Sequence, residues 1–136
     1  MTPFSLKIVT PDGLIFDGQA EEIVVRTTSG DLGILAGHMD CVAPLGMGAA
    51  MVLSGGKKRY AACIGGMLSI SRGSVTLVPT TFEWAESIDL ARAERSQARA
   101  QSVLDQKNAP DKDVRMAEAR LKRALIRRSV ASTCRR

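Results

Sequence analysis

The chain has 136 residues, a length that favours one domain or two small modules. Hydrophobic residues make up 45% of it and aromatic residues only 4%, so its core must be mainly aliphatic. No apolar stretch approaches the ~18 residues of a membrane span, and the first residues lack the pattern of a signal peptide. The widely separated Cys41, Cys63 and Cys134 argue against a disulfide framework and a zinc site, and favour a reducing cytosol.

Charge is distributed unevenly along the chain. Residues 1–83 contain six Lys and Arg against seven acidic residues, whereas residues 84–136 contain thirteen against seven. The formal net charge of +5 is therefore the sum of −1 in the first part and +6 in the C-terminal part. The chain has two chemically different portions, one nearly neutral and one basic.

The first portion predicts short strands separated by turns. Phe4, Leu6 and Ile8 alternate with other residues, and a turn at residues 11–13 follows. Residues 14–18 and 22–28 predict further strands, and residues 51–61 and 67–78 each predict a β-hairpin. Many short strands with turn signals every ~8–12 residues indicate a β-sandwich or barrel.

The second portion predicts two helices. Ser87 is the expected N-cap of the first, with Asp89 in its first turn. Residues 108–111 end this helix and begin the next, with Asp111 as the expected second N-cap. Small and apolar residues recur at helical spacing on both helices: Leu90, Ala93, Gln97, Ala100 and Leu104 on the first, and Val114, Ala117, Leu121 and Ala124 on the second. Helices joined by a short loop lie antiparallel, so we expect an αα-hairpin.

A further apolar stripe lies on the second helix, at Met116, Ala119, Ile126 and Val130. A hairpin buries only one stripe of each helix. The second stripe therefore indicates packing against the sandwich or a partner protein, or else weak residual hydrophobicity on a solvated helix.

Four segments carry a resemblance to a known family. They are FSLKIVTP at 4–11, GDLGILAGH at 30–38, GGML at 65–68 and EWAESID at 83–89. In this order and spacing the chain resembles the epsilon subunit of F-type ATP synthases, in its bacterial form, over nearly its whole length. The resemblance implies an α+β fold, with an N-terminal antiparallel β-sandwich of about ten strands at 1–84 and a C-terminal antiparallel helical hairpin at 85–136.

The resemblance also implies a function without catalysis. It describes a central-stalk subunit of a proton-translocating ATP synthase, peripheral on the cytoplasmic face of the bacterial plasma membrane and reaching the membrane only through the complex. The sandwich would bind the gamma subunit and the c-ring. The hairpin would extend toward the alpha and beta subunits and inhibit ATP hydrolysis. No cofactor is required, and ATP is a possible regulatory ligand.

The segment IDLARA at 88–93 reproduces a family motif associated with ATP binding. Guanidinium groups suit phosphate oxygens, and a carboxylate suits adenine, ribose or an arginine. Carried over residue by residue, the match predicts nucleotide contacts at Glu83, Asp89, Arg92, Arg99, Arg123 and Arg127. The alternative is that Asp89 and Arg92 stabilise the helix start while the other arginines face water.

Partner contacts are implied at Asp31, Leu35, His38 and Met39, and at Arg120 and Arg128 on the basic hairpin. His38 has no ligand-spaced Cys or acid and no nucleophile motif beside it, which argues against metal binding and catalysis. Two other functions are alternatives. A basic accessory protein could bind nucleic acid through the helices, although Trp84 is the last aromatic residue. A small stand-alone enzyme lacks a nucleophile, base and orienting group.

Overall fold

The computed structural model describes residues 2–134, with side chains up to Ser132. The chain forms two compact units that divide between Trp84 and Ala85. The predicted sandwich and hairpin are confirmed: ten strands form two sheets, and two helices follow them. None of the helices in this described part is long and apolar enough to cross a membrane.

Two five-stranded sheets make up the first unit. The first sheet has the order β2-β1-β9-β8-β5, and the second has the order β10-β7-β6-β3-β4. The strands are β1 Phe4–Thr10, β2 Gly13–Ala20, β3 Glu22–Thr27, β4 Gly30–Ile34, β5 Cys41–Pro44, β6 Met47–Ser54, β7 Lys57–Ile64, β8 Met67–Ser71, β9 Ser74–Val78 and β10 Thr81–Trp84. Sequence patterns had not singled out β4, β5 and β10, which have only four or five residues each.

Strand alternation builds the core between the sheets. In β1, Leu6 and Ile8 are fully buried while Ser5 and Lys7 are exposed. Ile23 and Val25 of β3 continue the same core from the other sheet. Every pairing between strands is antiparallel except β1 with β9, which is parallel and aligns Ile8 with Leu77. This parallel pair joins the first hairpin to the remainder of its sheet.

Burial also explains the chemistry of one cysteine. Cys63 lies on β7 within the core, and desolvation raises the pKa of its thiol to about 12. The thiolate is therefore scarce at neutral pH, which makes Cys63 a packing residue rather than a nucleophile.

The second unit begins with a 3₁₀ turn over Ala85–Ser87, followed by α1 Leu90–Leu104 and α2 Asp111–Cys134. The predicted N-cap at Ser87 is wrong, because that residue lies within the 3₁₀ turn. Asp89 is the N-cap instead: its backbone is extended and its carboxylate accepts a hydrogen bond from the Arg92 amide at 3.0 Å.

The bounds of the interhelical loop also differ from the prediction by a few residues. The first helix ends earlier, with Asp105 as its C-cap. Asp111 is the first residue of α2 rather than its cap, and the carbonyl of Pro110 accepts the first helical bond from the Val114 amide at 3.0 Å. The carboxylates of Asp111 and Asp113 still lie in the first turn, where the helix dipole favours them.

The hairpin closes along a stripe of small residues. Ala93 and Ala100 of α1 are buried, as are Ala117 and Ala124 of α2. The second stripe predicted on α2 is not uniformly covered: Val130 is buried, Ala119 and Ile126 are half-buried, and Met116 is exposed.

Gly66 is the position where the sandwich has least room for a side chain. A Cβ atom there would lie 2.1 Å from the carbonyl oxygen of Val78, and its φ of +99° disfavours other residues. We predict that Gly66→Ala lowers the free energy of unfolding by about 3 kcal/mol or more, measured by urea denaturation.

Gly73→Ala is the matched control. Its φ of +79° is also positive, but no atom lies within 4 Å of the added Cβ. Gly73→Ala should lower the free energy of unfolding by about 1–2 kcal/mol, which is the cost of the left-handed backbone conformation alone. Equal losses in the two variants would show that the contact with Val78 is unimportant.

Candidate functional site

A row of apolar side chains crosses the outer face of the first sheet. Leu68 and Ile70 of β8 point into the core, so Met67, Ser69 and Ser71 point outward. Met67 pairs with Pro44 of β5 on one side and with Val78 of β9 on the other. Three neighbouring strands thus place apolar side chains side by side on the solvent face.

The row continues across the parallel pair. Ile8 and Leu77 are aligned and buried, so the next residues, Val9 and Val78, both face outward. Val9 pairs in turn with Leu14 of β2, whose side chain is 59% exposed. We call Leu14, Val9, Val78, Met67 and Pro44 the apolar row. It spans all five strands of this sheet.

The β4–β5 connection adds exposed apolar groups beside this face. Leu35 is half exposed and Met39 is 76% exposed. Val42, 68% exposed, lies two residues before Pro44 on β5 and therefore on the same outer face. Large apolar side chains exposed together mark a surface that a partner covers.

Hydrogen bonds hold this connection in one shape. The His38 amide donates to the Leu35 carbonyl at 3.2 Å, and His38 Nδ1 lies 2.9 Å from the Met39 carbonyl oxygen. A carbonyl oxygen only accepts, so this contact requires a hydrogen on Nδ1. Asp40 accepts a bond from the Arg72 amide at 2.9 Å, which fastens the connection to the β8–β9 turn.

Asp31 lies on β4, the edge strand of the second sheet, and is ion-paired on the surface. Arg26 Nε donates to Asp31 Oδ1 at 2.5 Å, and Nη2 lies 3.4 Å from Oδ2. The hydrogen bond from Arg26 holds the pKa of the Asp31 carboxyl below its usual value. This carboxylate stays charged at neutral pH and is available to a polar partner on its exposed side.

The predicted nucleotide residues fall in both units. Glu83 is half-buried on β10 of the sandwich. Asp89 and Arg92 lie at the start of α1, and the Asp89 carboxylate already caps that helix. The structural role weighed for Asp89 is therefore observed, which leaves one carboxylate oxygen free of the capping bond.

A cleft of about 570 Å³ separates α1 and α2 near the interhelical loop. It is lined by apolar and polar side chains in similar numbers: Ala100, Val103, Met116 and Ala117, and Ser96, Arg99, Gln106, Asp113 and Arg120. Arg99, a predicted nucleotide residue, and Arg120, a predicted partner residue, thus lie on opposite walls of the same cleft. Their two positive charges outweigh the single carboxylate of Asp113.

Helical spacing places two more arginines on the same sides of the helices, toward the start of the hairpin. Arg92 lies seven residues before Arg99, and Arg127 lies seven residues after Arg120. Seven residues are close to two helical turns, so each pair shares one side of its helix. Because the helices are antiparallel, Arg92 and Arg127 come level with each other. We call Arg92, Arg99, Arg120 and Arg127 the basic flank.

The remaining predicted cations lie elsewhere on α2. Arg123 is half-buried and directly precedes the buried Ala124. Arg128 points across the hairpin: its Nη1 donates to Gln97 Oε1 at 2.6 Å, and its Nε lies 4.0 Å from Glu94 Oε1. Arg128 was predicted as a partner contact, and the structure gives it a partner within the chain.

Sequence reasoning did not identify the apolar row. Val9, Met67 and Val78 were considered only as strand residues, and the outward direction of each depends on pairing with other strands. One signal was present in the sequence. A strand with one solvated face alternates apolar and polar residues, but β1, β8 and β9 each have two consecutive apolar residues near one end. The extra apolar residue of each pair must lie on the outer face.

Groups of three or more metal-ligating side chains are also missing from the described residues.

Comparison with known families identifies both units. Residues 3–85 match the family described as ATP synthase, Delta/Epsilon chain, beta-sandwich domain. Residues 86–132 match the ATP synthase, Delta/Epsilon chain, long alpha-helix domain.

Curated relatives match over almost the full chain. An ATP synthase epsilon chain from Bacillus velezensis is 44% identical over 131 residues, covering 96% of this chain and 98% of the relative. One from Ruminococcus albus is 41% identical over 133 residues, covering 97% and 98%.

Solved structures share the fold. A chain in the mitochondrial ATP synthase of Euglena gracilis, an assembly of OSCP, F1 and c-ring, superposes with a TM-score of 0.78 at 24% identity and covers 90% of this chain and 77% of that one. A chain in the central stalk and c-ring of the Tetrahymena thermophila enzyme gives 0.66 at 12% identity, covering 93% and 95%.

Proposed function

Since the chain belongs to the epsilon-chain family of ATP synthases, a non-catalytic part of that complex, we propose that it couples the rotor to the membrane ring and regulates ATP hydrolysis. The sandwich is the mount, which binds the gamma subunit and rests on the c-ring. The helical hairpin is the regulatory element. The complex is proton-translocating, and this subunit attaches to the cytoplasmic face of a bacterial plasma membrane only through its partners.

The apolar row is the observation that supports rotor binding most directly. It spans a whole sheet and ends at β5. That strand also carries the exposed Val42, and the Leu35–Met39 connection leads into it. A torque-bearing contact needs a rigid surface, and here the side chains project from five hydrogen-bonded strands rather than from a mobile loop. We assign this face, with Leu35, His38 and Met39, to the gamma subunit.

Asp31 suits a different contact. Its paired carboxylate lies on the opposite sheet at an exposed edge, beside the β3–β4 turn. A charged, hydrogen-bonding edge fits the polar loops of the c-ring better than an apolar shaft does. The two partners would thus contact chemically different surfaces of the sandwich.

The hairpin offers positive charge to the catalytic head. The basic flank is largely exposed, and an acidic surface of the alpha and beta subunits would complement it. Such contacts are reversible and weaken with salt, which suits an element that inhibits hydrolysis reversibly. Family membership favours this partner over nucleic acid, the other function considered for the basic helices.

ATP is the proposed signal for the hairpin. Arg99 and Arg120 bring guanidinium groups of both helices to one cleft, and Asp89 and Arg92 lie at the start of α1, about two to three helical turns from Arg99. A triphosphate that bridged α1 and α2 would favour the closed hairpin, because the open form would lose half of its ligands. Arg123 and Arg127 complete the proposed set on the hairpin, the contact expected at Glu83 of the sandwich stays a prediction, and hydrolysis is not part of the proposal.

Met67→Glu tests the gamma contact. A carboxylate in the middle of the apolar row would be desolvated on docking, so we expect the isolated gamma subunit to bind about 30-fold more weakly by calorimetry. Ser5→Glu is the control: Ser5 is exposed on the outer face of the same sheet, four residues before Val9 and three strands from β5. It should bind nearly as tightly as the unaltered chain. Equal binding of both variants would move the interface elsewhere.

Removal of residues 88–136 tests the regulatory role. The sandwich has its own core, so the shortened chain should assemble with the rotor while ATP hydrolysis by the complex rises. Steady-state hydrolysis is compared with that of a complex carrying the full chain. Failure of the shortened chain to assemble would contradict the separation of mount and regulator.

Titration calorimetry with ATP, without magnesium, tests the nucleotide proposal. We expect binding to the isolated chain at or below millimolar ATP, and a loss of ten-fold or more in Arg99→Ala, since hydrogen bonds to charged groups contribute about 1.5–3 kcal/mol. Arg115→Ala removes an exposed cation that does not line the cleft and should bind normally. The absence of heat at millimolar ATP would refute nucleotide binding.

A further inference from the structure

Arg128 and Gln97, both half-buried, form a polar contact across an otherwise small and apolar helix seam. Arg128 lies four residues after the buried Ala124 and three before the buried Ala131. Gln97 lies four residues after the buried Ala93 and three before the buried Ala100. Both spacings place a residue on the same side of its helix as the alanines. The 2.6 Å bond between Arg128 Nη1 and Gln97 Oε1 therefore crosses the seam itself.

Polar contacts of this kind restrict how helices associate. The Arg128 side chain is 43% exposed, so its contribution to the closed hairpin comes from its hydrogen bond rather than from burial of its charge. A hydrogen bond to a charged group is stronger than one between neutral groups. Gln97 supplies the acceptor, and Glu94, one turn before it, offsets the charge at 4.0 Å. Sliding or rotating either helix would remove both groups from Arg128. The contact thus favours one register and one closed form.

Opening of the hairpin would also release this cation from its partners on α1. In the closed hairpin, Arg128 Nη1 is bonded to Gln97. Once the helices separate, the guanidinium group loses that bond and the nearby charge of Glu94, so all of its donors can pair with carboxylates on another protein.

We propose that Arg128 is a lock with two mutually exclusive partners: the Gln97 and Glu94 side chains in the closed hairpin, and an acidic protein surface when the hairpin is open. This rests on the proposed regulatory function and adds to it the residue that sets the balance. Because one side chain serves both states, substitutions at Gln97 and at Arg128 have opposite effects on inhibition.

Three full-length variants separate these effects. Gln97→Ala removes the acceptor but keeps the cation, so the hairpin opens more often and inhibits hydrolysis more strongly. Arg128→Leu loses the bond to Gln97 but also removes the charge that the open form would offer to an acidic surface, so inhibition weakens. Arg128→Lys keeps the charge with a single-point donor and should lie between the unaltered chain and Arg128→Leu in inhibition.

Amide hydrogen exchange of the isolated full chain measures the lock independently of the complex. We expect exchange in α1 and α2 to be about five-fold faster in Gln97→Ala, the factor for one net hydrogen bond. Gln101→Ala is the matched control, since Gln101 bonds to Asp105 on the same helix at 3.0 Å. Equal exchange in the two glutamine variants would overturn the lock.

Inhibition of ATP hydrolysis in the reconstituted complex measures the second partner. Arg115→Leu, which removes an exposed charge from α2, is the control for net charge. Weaker inhibition by Arg128→Leu than by Arg115→Leu supports the acidic partner, and equal inhibition overturns it. If neither these variants nor removal of the hairpin changes hydrolysis while exchange responds to Gln97→Ala, the regulatory function fails and the lock within the hairpin stands.

Discussion

The parallel pairing of β1 with β9 is the constraint on which the sandwich and its binding face both depend. All other strand pairs are antiparallel, and several form from neighbouring hairpins. Without this long-range pair, the β1–β2 hairpin would have no place in the first sheet. The same pair aligns Ile8 with Leu77 inside the core and thereby turns Val9 and Val78 outward together. One register creates the core on one side and the proposed rotor surface on the other.

The two units are stabilised on different scales. The sandwich buries many large aliphatic side chains completely, including Leu6, Ile23 and Leu77, each contributing about 1.5–3 kcal/mol. The hairpin seam buries mainly alanines, whose methyl groups contribute roughly 0.8 kcal/mol each. Its basic flank adds repulsion between like charges. This difference suits the proposed function, in which the rigid sandwich attaches to the rotor and the less stable hairpin changes between two states.

Several features were predictable because they depend on local chemistry. Glycine and polar turns separate the strand patterns of β6 and β7, and loss of glycine after Gly73 accompanies the change to helical spacing. Errors arose where two local solutions compete. Ser87 and Asp89 are both good N-caps, and a 3₁₀ turn that ends at Ser87 leaves the helix start to Asp89. Asp111 suits either a cap or a first turn, and the bond from the Val114 amide to the Pro110 carbonyl puts it in the first turn.

The sequence by itself determined the fold class, the family and the concentration of positive charge in the helices, since periodicity, motif order and composition are properties of the chain alone. Tertiary structure decided which residues meet. The apolar row exists only because five strands align their outward positions, and Arg128 crosses the seam only because Gln97 lies opposite it. Register between segments distant in sequence is set by packing and hydrogen bonding across them, and no local pattern encodes it.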